Sequence, residues 1–248
     1  MPANITPSRI QEQLRKETLY GCALCGCPIL EYVHIIPHPD IQAFLPENMI
    51  ALCPSHRIKY ESKEISEAAL HDAKINPYNK NNEVSFSIEE SLEMIANIGN
   101  RKFINTSRIL VIDDFDIISV KRGGGEEQQA GYKKYILLDI NFFDKFNNLI
   151  AIISENGWTA ERRKSSSNGD WSIIYEPRHL VIQNPSRNIL FEVKVNNNEI
   201  TLAASGMYYN GSSIRITENE IFLDDLEIAV DQKGTVLKNY DVGIVAET

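Results

Sequence analysis

Cysteine is scarce in this sequence and absent from most of it. Only four cysteines occur in 248 residues, and all of them lie between positions 22 and 53. Secreted folds that depend on disulfides spread their cysteines through the chain, so this clustering argues against that class. A histidine close to the cluster predicts a metal site in a reducing compartment instead.

Long apolar stretches are also lacking. No run of about 18 apolar residues occurs, and the first 17 residues contain no apolar stretch of the kind found in signal peptides. We therefore expect a soluble cytoplasmic protein that makes no membrane contact. Hydrophobic residues still make up 43% of the chain, which is enough for an ordinary core.

Basic residues are outnumbered by acidic ones. The chain has 25 Lys and Arg against 34 Asp and Glu, and residues 1–100 alone hold 8 basic and 13 acidic residues. Proteins that bind nucleic acid along a broad surface usually carry a basic patch or stripe. The charge balance therefore works against a broad basic surface for phosphate.

The N-terminal part of the chain has a mixed pattern. Residues 5–18 carry a proline near the start and apolar residues at helical spacing, and residues 66–76 also have a helical composition. Residues 87–98 (SIEESLEMIANI) begin with a capping-box pattern and are followed by glycine, which predicts a connecting helix.

From about residue 103 the pattern changes to short β-rich runs separated by Asn, Gly, Ser and Asp clusters, which is typical of antiparallel sheets. The sequence thus predicts an α+β protein with a small cysteine-containing module at residues 1–75. A linker with the connecting helix follows at 76–102, and an all-β domain at 103–248. The pattern leaves open whether the strands form a sandwich, a barrel or a solenoid.

Two cysteine-containing pairs predict a structural zinc site. Cys22 and Cys25 have two residues between them, and so do Cys53 and His56. Each pair can form a tight knuckle, and two knuckles together supply the four ligands of a tetrahedral zinc ion. Cys27 lies off this spacing and is interpreted as a packed thiol.

The order of motifs around these residues resembles the HNH endonuclease (ββα-metal) family in its zinc-knuckle subtype. The resemblance covers about residues 20–62, in the segments C-A-L-C-G-C-P-I, Y-V-H-I-I-P and E-N-M-I-A-L-C-P-S-H. It implies that residues 1–75 form a small zinc-containing ββα module. It also implies a metal-dependent DNA endonuclease that hydrolyses phosphodiester bonds with Mg²⁺ or Mn²⁺. DNA is the partner that it implies.

The resemblance also implies residue roles. His34 falls on the position of the general base, and Asn48 falls on the central Asn that orients it. Two further positions depart from the pattern, because Val33 stands where the family often has a metal ligand and Arg57 stands where it has a histidine for the catalytic ion. A guanidinium stays protonated and repels a divalent cation, so catalysis by the usual arrangement is in question.

Two alternatives could restore an active centre. His56 could serve the catalytic ion while Cys27 completes the zinc site. Alternatively, His38 or Asp40 could replace a missing ligand, with Arg57 contacting the phosphate directly.

Other sequence features have plainer interpretations. Two short basic patches, 121–122 and 161–164, lie beside turn-forming residues and are interpreted as hairpin tips, although they are the candidates for phosphate contact in the β domain. Trp158 and Trp171 are expected to pack with each other or with the sheet.

Two functions from different classes remain at this point. The first is the HNH endonuclease. The second is an HNH-derived zinc module that has lost catalysis and serves in binding or assembly. In both cases the β domain would bind a ligand, a protein partner or a second copy of the chain.

Overall fold

The computed structural model describes residues 6–36, 44–82, 84, 86–89, 92–123, 133–160, 171–224, 226–227 and 236–248. Contacts divide the chain into two compact units, Met1–Ser85 and Phe86–Thr248. We call them the N-terminal unit and the β unit. Helices occupy the first and strands dominate the second, so the chain is α+β.

The N-terminal unit is built on a two-stranded hairpin. Its elements are α1 (Ser8–Glu17), β1 (Glu31–His34), a 3-10 turn (Pro46–Asn48), β2 (Met49–Leu52), α2 (Pro54–Glu61), α3 (Glu67–Ile75) and α4 (Tyr78–Asn81). Leu14 of α1 and Leu70 of α3 are fully buried. The helices predicted over 5–18 and 66–76 are therefore confirmed.

The β unit is formed from strands that range from two to eleven residues. They are β3 (Ser87–Glu89), β4 (Ile95–Ile98), β5 (Arg101–Ile104), β6 (Arg108–Ile112), β7 (Phe115–Gly123), β8 (Lys133–Phe143), β9 (Leu149–Ser154), β10 (Gly157–Ala160), β11 (Ser172–Glu176), β12 (His179–Gln183), β13 (Ile189–Asn196), β14 (Glu199–Tyr209), β15 (Ser212–Ile216), β16 (Ile221–Leu223), β17 (Leu226–Glu227), β18 (Val236–Lys238) and β19 (Val242–Ala246).

These strands pair in two arrays. In the first, β19, β6, β7, β8, β9 and β10 lie side by side, and β3 extends the edge of β8 beyond β9. In the second, β11, β12, β13, β14, β4, β5 and β18 are neighbours. Beyond β4, β14 pairs with β15, which pairs with β16, which in turn pairs with β17. The arrays meet where Tyr208 pairs with Phe143.

Among the strands that the structure describes, the pairing is antiparallel except at three places. Strand β4 runs parallel to β14, β18 to β5 and β19 to β6. The sequence predicted antiparallel sheets from the turn residues between successive strands. Parallel pairs join strands that are distant in the chain and need long crossovers, so local turn chemistry does not reveal them.

The two arrays share an aromatic core. Phe142 and Phe191 are fully buried, one on each array, and their ring centroids lie 6.4 Å apart. Trp158 and Trp171 contact each other edge to face at 5.3 Å, and both contact Phe142. The expected packing of the two tryptophans is confirmed.

The connecting helix predicted over 87–98 is wrong for the described residues of that segment. Ser87–Glu89 pairs with β8, and Ile95–Ile98 pairs with both β14 and β5. The segment also carries a strand period, since Met94, Ala96 and Ile98 are all buried. Pairing with three strands satisfies its backbone better than an isolated short helix, which is marginal in water.

Candidate metal centre

The hairpin of the N-terminal unit leads directly into the second predicted knuckle. Strands β1 and β2 are antiparallel, with Glu31 opposite Leu52 and His34 opposite Met49, and all of β2 is buried. Cys53 follows in extended conformation as the N-cap residue of α2, and Pro54 is the first helical residue. Proline suits this position because the first helical N–H has no partner within the helix. The helix therefore starts at Pro54, which places Cys53 and His56 at its first turn.

The first knuckle is closed by its own backbone. The carbonyl of Cys22 accepts hydrogen bonds from the N–H groups of Cys25 (3.3 Å) and Gly26 (2.8 Å), and the N–H of Cys22 donates to the carbonyl of Cys27 (2.8 Å). Gly26 has φ +75°, a left-handed conformation that glycine adopts at little cost. The turn therefore brings the side chains of Cys22 and Cys25 to the same side.

A backbone hydrogen bond connects the first knuckle to β2. The N–H of Ala23 donates to the carbonyl of Ala51 at 3.1 Å. Ala51 lies two residues before Cys53 in β2. The first knuckle is therefore attached to the strand that delivers the second one.

Side-chain atoms of the four predicted ligands converge as a result. One donor atom each from Cys22, Cys25, Cys53 and His56 lies within 4.8 Å of all the others, close enough to hold a metal ion. Nδ1 of His56 is 3.4 Å from Sγ of Cys22 and 3.3 Å from Sγ of Cys53, and the sulfurs of Cys25 and Cys53 are 3.9 Å apart.

These distances suit tetrahedral coordination. With metal–sulfur bonds of about 2.3 Å, the sulfurs of a tetrahedral site lie about 3.8 Å from one another. The separation between Cys25 and Cys53 agrees with that value. The residues present therefore fit a metal ion with three thiolate ligands and one imidazole ligand.

The charges of the cluster also favour a cation. Burial is the main cause that raises the pKa of the Cys22 thiol, whereas the pKa of Cys25 is lowered because Cys22 and Cys53 hydrogen-bond to its thiolate. A buried negative charge is costly unless it is paired or bound to a metal. Burial therefore keeps Cys22 in its neutral thiol form when no ion is bound, and a bound cation would stabilise the sulfurs of the cluster as thiolates.

Cys27 lies outside this group of four. Its sulfur is 3.8 Å from the carbonyl oxygen of Ile29, and its side chain is fully buried. Burial raises the pKa of its thiol. These features suit the packed thiol that the spacing predicts.

Arg57 lies next to His56 and is engaged by two carboxylates. Its Nε donates to Glu31 on β1, and its guanidinium is 2.5 Å from the carboxylate of Glu61 one helical turn later. The side chains of Arg57 and Glu31 are only 14% and 19% exposed. Val33 is on the same face of β1 as Glu31, because alternate residues of a strand share a face.

His34 and Asn48 lie at the loop end of the hairpin, where the connection between β1 and β2 begins and ends. The side-chain amide of Asn48 accepts from the N–H of Ile36 and donates to its carbonyl, both at 2.9 Å. The Tyr60 hydroxyl donates to the carbonyl of Ile35. The ring of His34 stacks on Phe44 at 6.2 Å. The chain just after His34 is therefore held on both sides, while the alternative ligands His38 and Asp40 lie outside the described residues.

Two supports of the first knuckle were missed by the sequence reasoning. Asn79 of α4 is buried and donates to the carbonyl of Leu19 at 2.9 Å, and the N–H of Tyr78 donates to the carbonyl of Ala23. Both residues pack closely enough that a Cβ on Gly26 would meet them. The glycines beside the C-x-x-C pair were the available sign of such a close approach.

Both residues of the basic patch 121–122 contact other residues of the β unit. Nζ of Lys121 is 2.7 Å from the carboxylate of Asp139, and Arg122 donates to the carbonyl of Leu92 at 2.9 Å. The second patch, 161–164, lies outside the described residues.

Comparison of the chain with protein families, with curated proteins and with solved structures finds no match. Among the described residues, no helix is both long and apolar enough to cross a membrane.

Proposed function

We propose that the N-terminal unit is a zinc-stabilised, HNH-like ββα module in which the ion is structural. The observation that carries this proposal is the convergence of Cys22, Cys25, Cys53 and His56 at the junction of the hairpin and α2. Thiolates and imidazole are the ligands that zinc prefers in closed structural sites. The four cysteines are all free thiols, which suits the reducing cytoplasm as the compartment.

The same unit is proposed to act in binding or assembly without cleaving DNA. Arg57 occupies the position at which the family resemblance implies a ligand for the catalytic ion, and its guanidinium is paired with Glu31 and Glu61. Val33, the other departure, has no donor atom. These two residues do not fit a Mg²⁺ or Mn²⁺ ion, which takes oxygen ligands in its sites.

A DNA endonuclease that uses His34 as general base is the second candidate. It is favoured by the contacts of Asn48 and Tyr60 on either side of the chain that follows His34, since a base must be held in place to act. Its ion would need ligands other than residues 33 and 57.

The β unit is proposed as the partner-binding part of the protein. Its partner would be a protein segment or a second copy of the chain. The excess of acidic residues supports a protein partner over DNA for this unit.

Metal analysis tests the first proposal. Reduced protein purified without added metal should contain about one zinc per chain, as a single structural site requires. Cys53→Ser should lose the zinc, while the matched variant Cys27→Ser should keep it. Absence of zinc from the wild-type chain, or equal zinc content in the two variants, would refute the site.

A plasmid-nicking assay separates binding from catalysis. Wild-type chain and His34→Ala are compared with Mg²⁺ and with Mn²⁺, and neither is expected to cut. Cleavage by the wild type that is lost in His34→Ala would overturn the binding role and support the endonuclease.

A further inference from the structure

Three aromatic rings from three different strands form a cluster at one end of the β unit. Phe115 begins β7, Phe143 ends β8 and Tyr209 ends β14. The rings of Phe115 and Tyr209 stack at 5.3 Å with 12° between their planes, and Phe143 meets them edge-on at 5.8 Å and 5.3 Å. We call these three residues the ring cluster.

The ring cluster reaches the surface. Phe115 is 38% exposed, and Leu149, which pairs with Phe143, is also 38% exposed. Phe146 lies in the loop that follows Phe143 and is 73% exposed. Single exposed apolar residues are ordinary, whereas a group of them at one place marks a site of interaction.

Hydrogen bonds hold the turns beside the ring cluster together. Asn210 donates to the carboxylate of Asp113 at 2.8 Å and accepts from the side chain of Asn147 at 2.8 Å, and its N–H donates back to Asn147 at 3.0 Å. Asp113 also accepts from the N–H of Thr248 at 3.0 Å. Each turn lies next to one of the rings, so the surface is ordered before any partner arrives, which lowers the entropic cost of binding.

The charge beside the ring cluster is mostly negative, with one cation in the loop after Phe143, where Nζ of Lys145 lies 5.1 Å from the ring centroid of Phe146. Asp113 and the exposed Asp114 immediately precede Phe115. Hydrogen bonds, above all from Thr248, hold the pKa of Asp113 below its usual range, so its carboxylate is ionised at neutral pH. The nearby Arg108 is surrounded by Asp116, Asp114 and Asp241, all of which raise its pKa. This field repels phosphate and attracts a cation.

We propose that the ring cluster is a docking site for a basic peptide segment, with an arginine side chain of the partner over Phe115 and its charge facing Asp113 and Asp114. A planar guanidinium stacks on aromatic faces and pairs with carboxylates, so this surface suits arginine in both respects. The β unit itself contains such a contact, since the guanidinium of Arg215 lies 3.7 Å from the ring centre of Phe222. The proposal rests on the partner-binding role of the β unit and is independent of the metal centre.

The test uses the full-length chain and a fluorescein-labelled peptide with three arginines spaced by Gly-Ser. The matched probe replaces each arginine with citrulline, which keeps the planar group and removes the charge. Fluorescence anisotropy should show saturable binding of the arginine peptide, at least about tenfold weaker binding of the citrulline peptide, and weaker binding as salt rises.

Variants locate the site. Phe115→Leu keeps an apolar side chain and should weaken binding about five- to tenfold. Phe115→Tyr keeps an aromatic ring and should bind as the wild type does. Asp114→Asn should reduce the salt dependence of binding. Ile174→Ser changes an apolar residue of β11 that is 44% exposed and should leave binding unchanged. Thermal unfolding of each variant checks that the fold persists.

Several results would overturn the proposal. They are equal binding of the two peptides, wild-type affinity in Phe115→Leu, and no saturable binding at peptide concentrations up to about 1 mM. A dissociation constant of that size corresponds to a binding free energy of about −4 kcal/mol. Salt-independent binding of a neutral oligosaccharide, or binding of single-stranded DNA at the same residues, would assign the surface to another ligand. None of these results alters the zinc content, so failure of this site is distinguishable from failure of the metal centre.

Discussion

Arg57 of α2 donates from its Nε to the carboxylate of Glu31 on β1, one residue away from the metal-site residue His56. The ion pair joins the helix to the hairpin at the position where the family resemblance implies a ligand for a catalytic ion. A guanidinium is always protonated and cannot ligate a cation, and here it neutralises two carboxylates. The same contact therefore supports both the stability of the unit and the proposed loss of catalysis.

Replacing Arg57 with alanine should destabilise the N-terminal unit by about 1.5–3 kcal/mol, because Glu31 loses a charged hydrogen bond in a mostly buried place. Glu61→Ala is the matched control. Glu61 is 52% exposed, so its removal should cost less than about 1 kcal/mol. Hydrogen exchange of the β1 and β2 amides under increasing denaturant measures both effects, and equal losses in the two variants would contradict the prediction.

Gly26→Ala should weaken the first knuckle for two reasons. The residue has φ +75°, and its new Cβ would lie 2.5 Å from the side-chain oxygen of Asn79 and 2.8 Å from the ring of Tyr78. Strain and overlap together should lower stability by about 2–4 kcal/mol, with loss of bound metal. Gly211→Ala also has a positive φ but has no atom within 4 Å of its Cβ, so it should cost the β unit only about 1 kcal/mol.

Asn48→Asp should loosen the chain that follows His34. The aspartate can still accept from the N–H of Ile36, but it has no N–H to donate to the carbonyl of Ile36. The loss should be about 0.5–1.5 kcal/mol locally, because these hydrogen bonds are exposed to solvent. Exchange of the Ile36 amide should be faster in Asn48→Asp than in the wild type and faster still in Asn48→Ala, and an unchanged rate in both would show that these contacts do not hold the chain.

Phe142→Ala should destabilise the β unit by about 3–5 kcal/mol, because it removes a fully buried ring that contacts Trp158, Trp171 and Phe191. Tryptophan emission should shift as water reaches the two indoles. Phe146→Ala removes the same ring from a site that is 73% exposed and should change stability by less than about 0.5 kcal/mol. Chemical unfolding followed by fluorescence compares the two directly.

Glu199 should make the β unit sensitive to acid. Hydrogen bonds from Lys102 and then from Asn97 hold the pKa of Glu199 below its usual value of 4.5. A carboxyl group with a lowered pKa stabilises the fold above the unfolded pKa, and this contribution is lost as pH falls through the folded pKa. Urea unfolding should therefore show wild type more stable than Glu199→Gln at neutral pH, with the difference shrinking below about pH 4.5.

The exposed Glu218 supplies the control for this titration. Glu218→Gln should follow the wild-type curve across the same range. A constant difference between wild type and Glu199→Gln at every pH would show that the ion pair does not titrate as predicted.

Two hairpin loops of the β unit show which features the local sequence predicts. Asp144 and Asn184 each accept from the backbone N–H of the residue four positions later, Asn148 and Asn188. In both cases a β-bulge immediately precedes the loop, between Phe142 and Phe143 and between Ile182 and Gln183. The sequence predicted only turn-forming clusters between the strands in these stretches, because Asp and Asn satisfy the same hydrogen bond.

Sequence alone determined the features that depend on neighbours in the chain. Two x₂-spaced pairs predicted the cluster of Cys22, Cys25, Cys53 and His56, because each pair spans one tight turn. The helices α1 and α3 and most strands of the β unit followed from the spacing of apolar residues and from turn residues.

Tertiary structure alone decided the features that depend on distant partners. The segment 87–98 satisfies helical and strand periods alike, and pairing with β8, β14 and β5 selected the strands. The partner of Arg57 lies 26 positions earlier, and the knuckles meet through Ala23 and Ala51. Such contacts form only when folding brings remote segments together. The local pattern of residues therefore does not predict them.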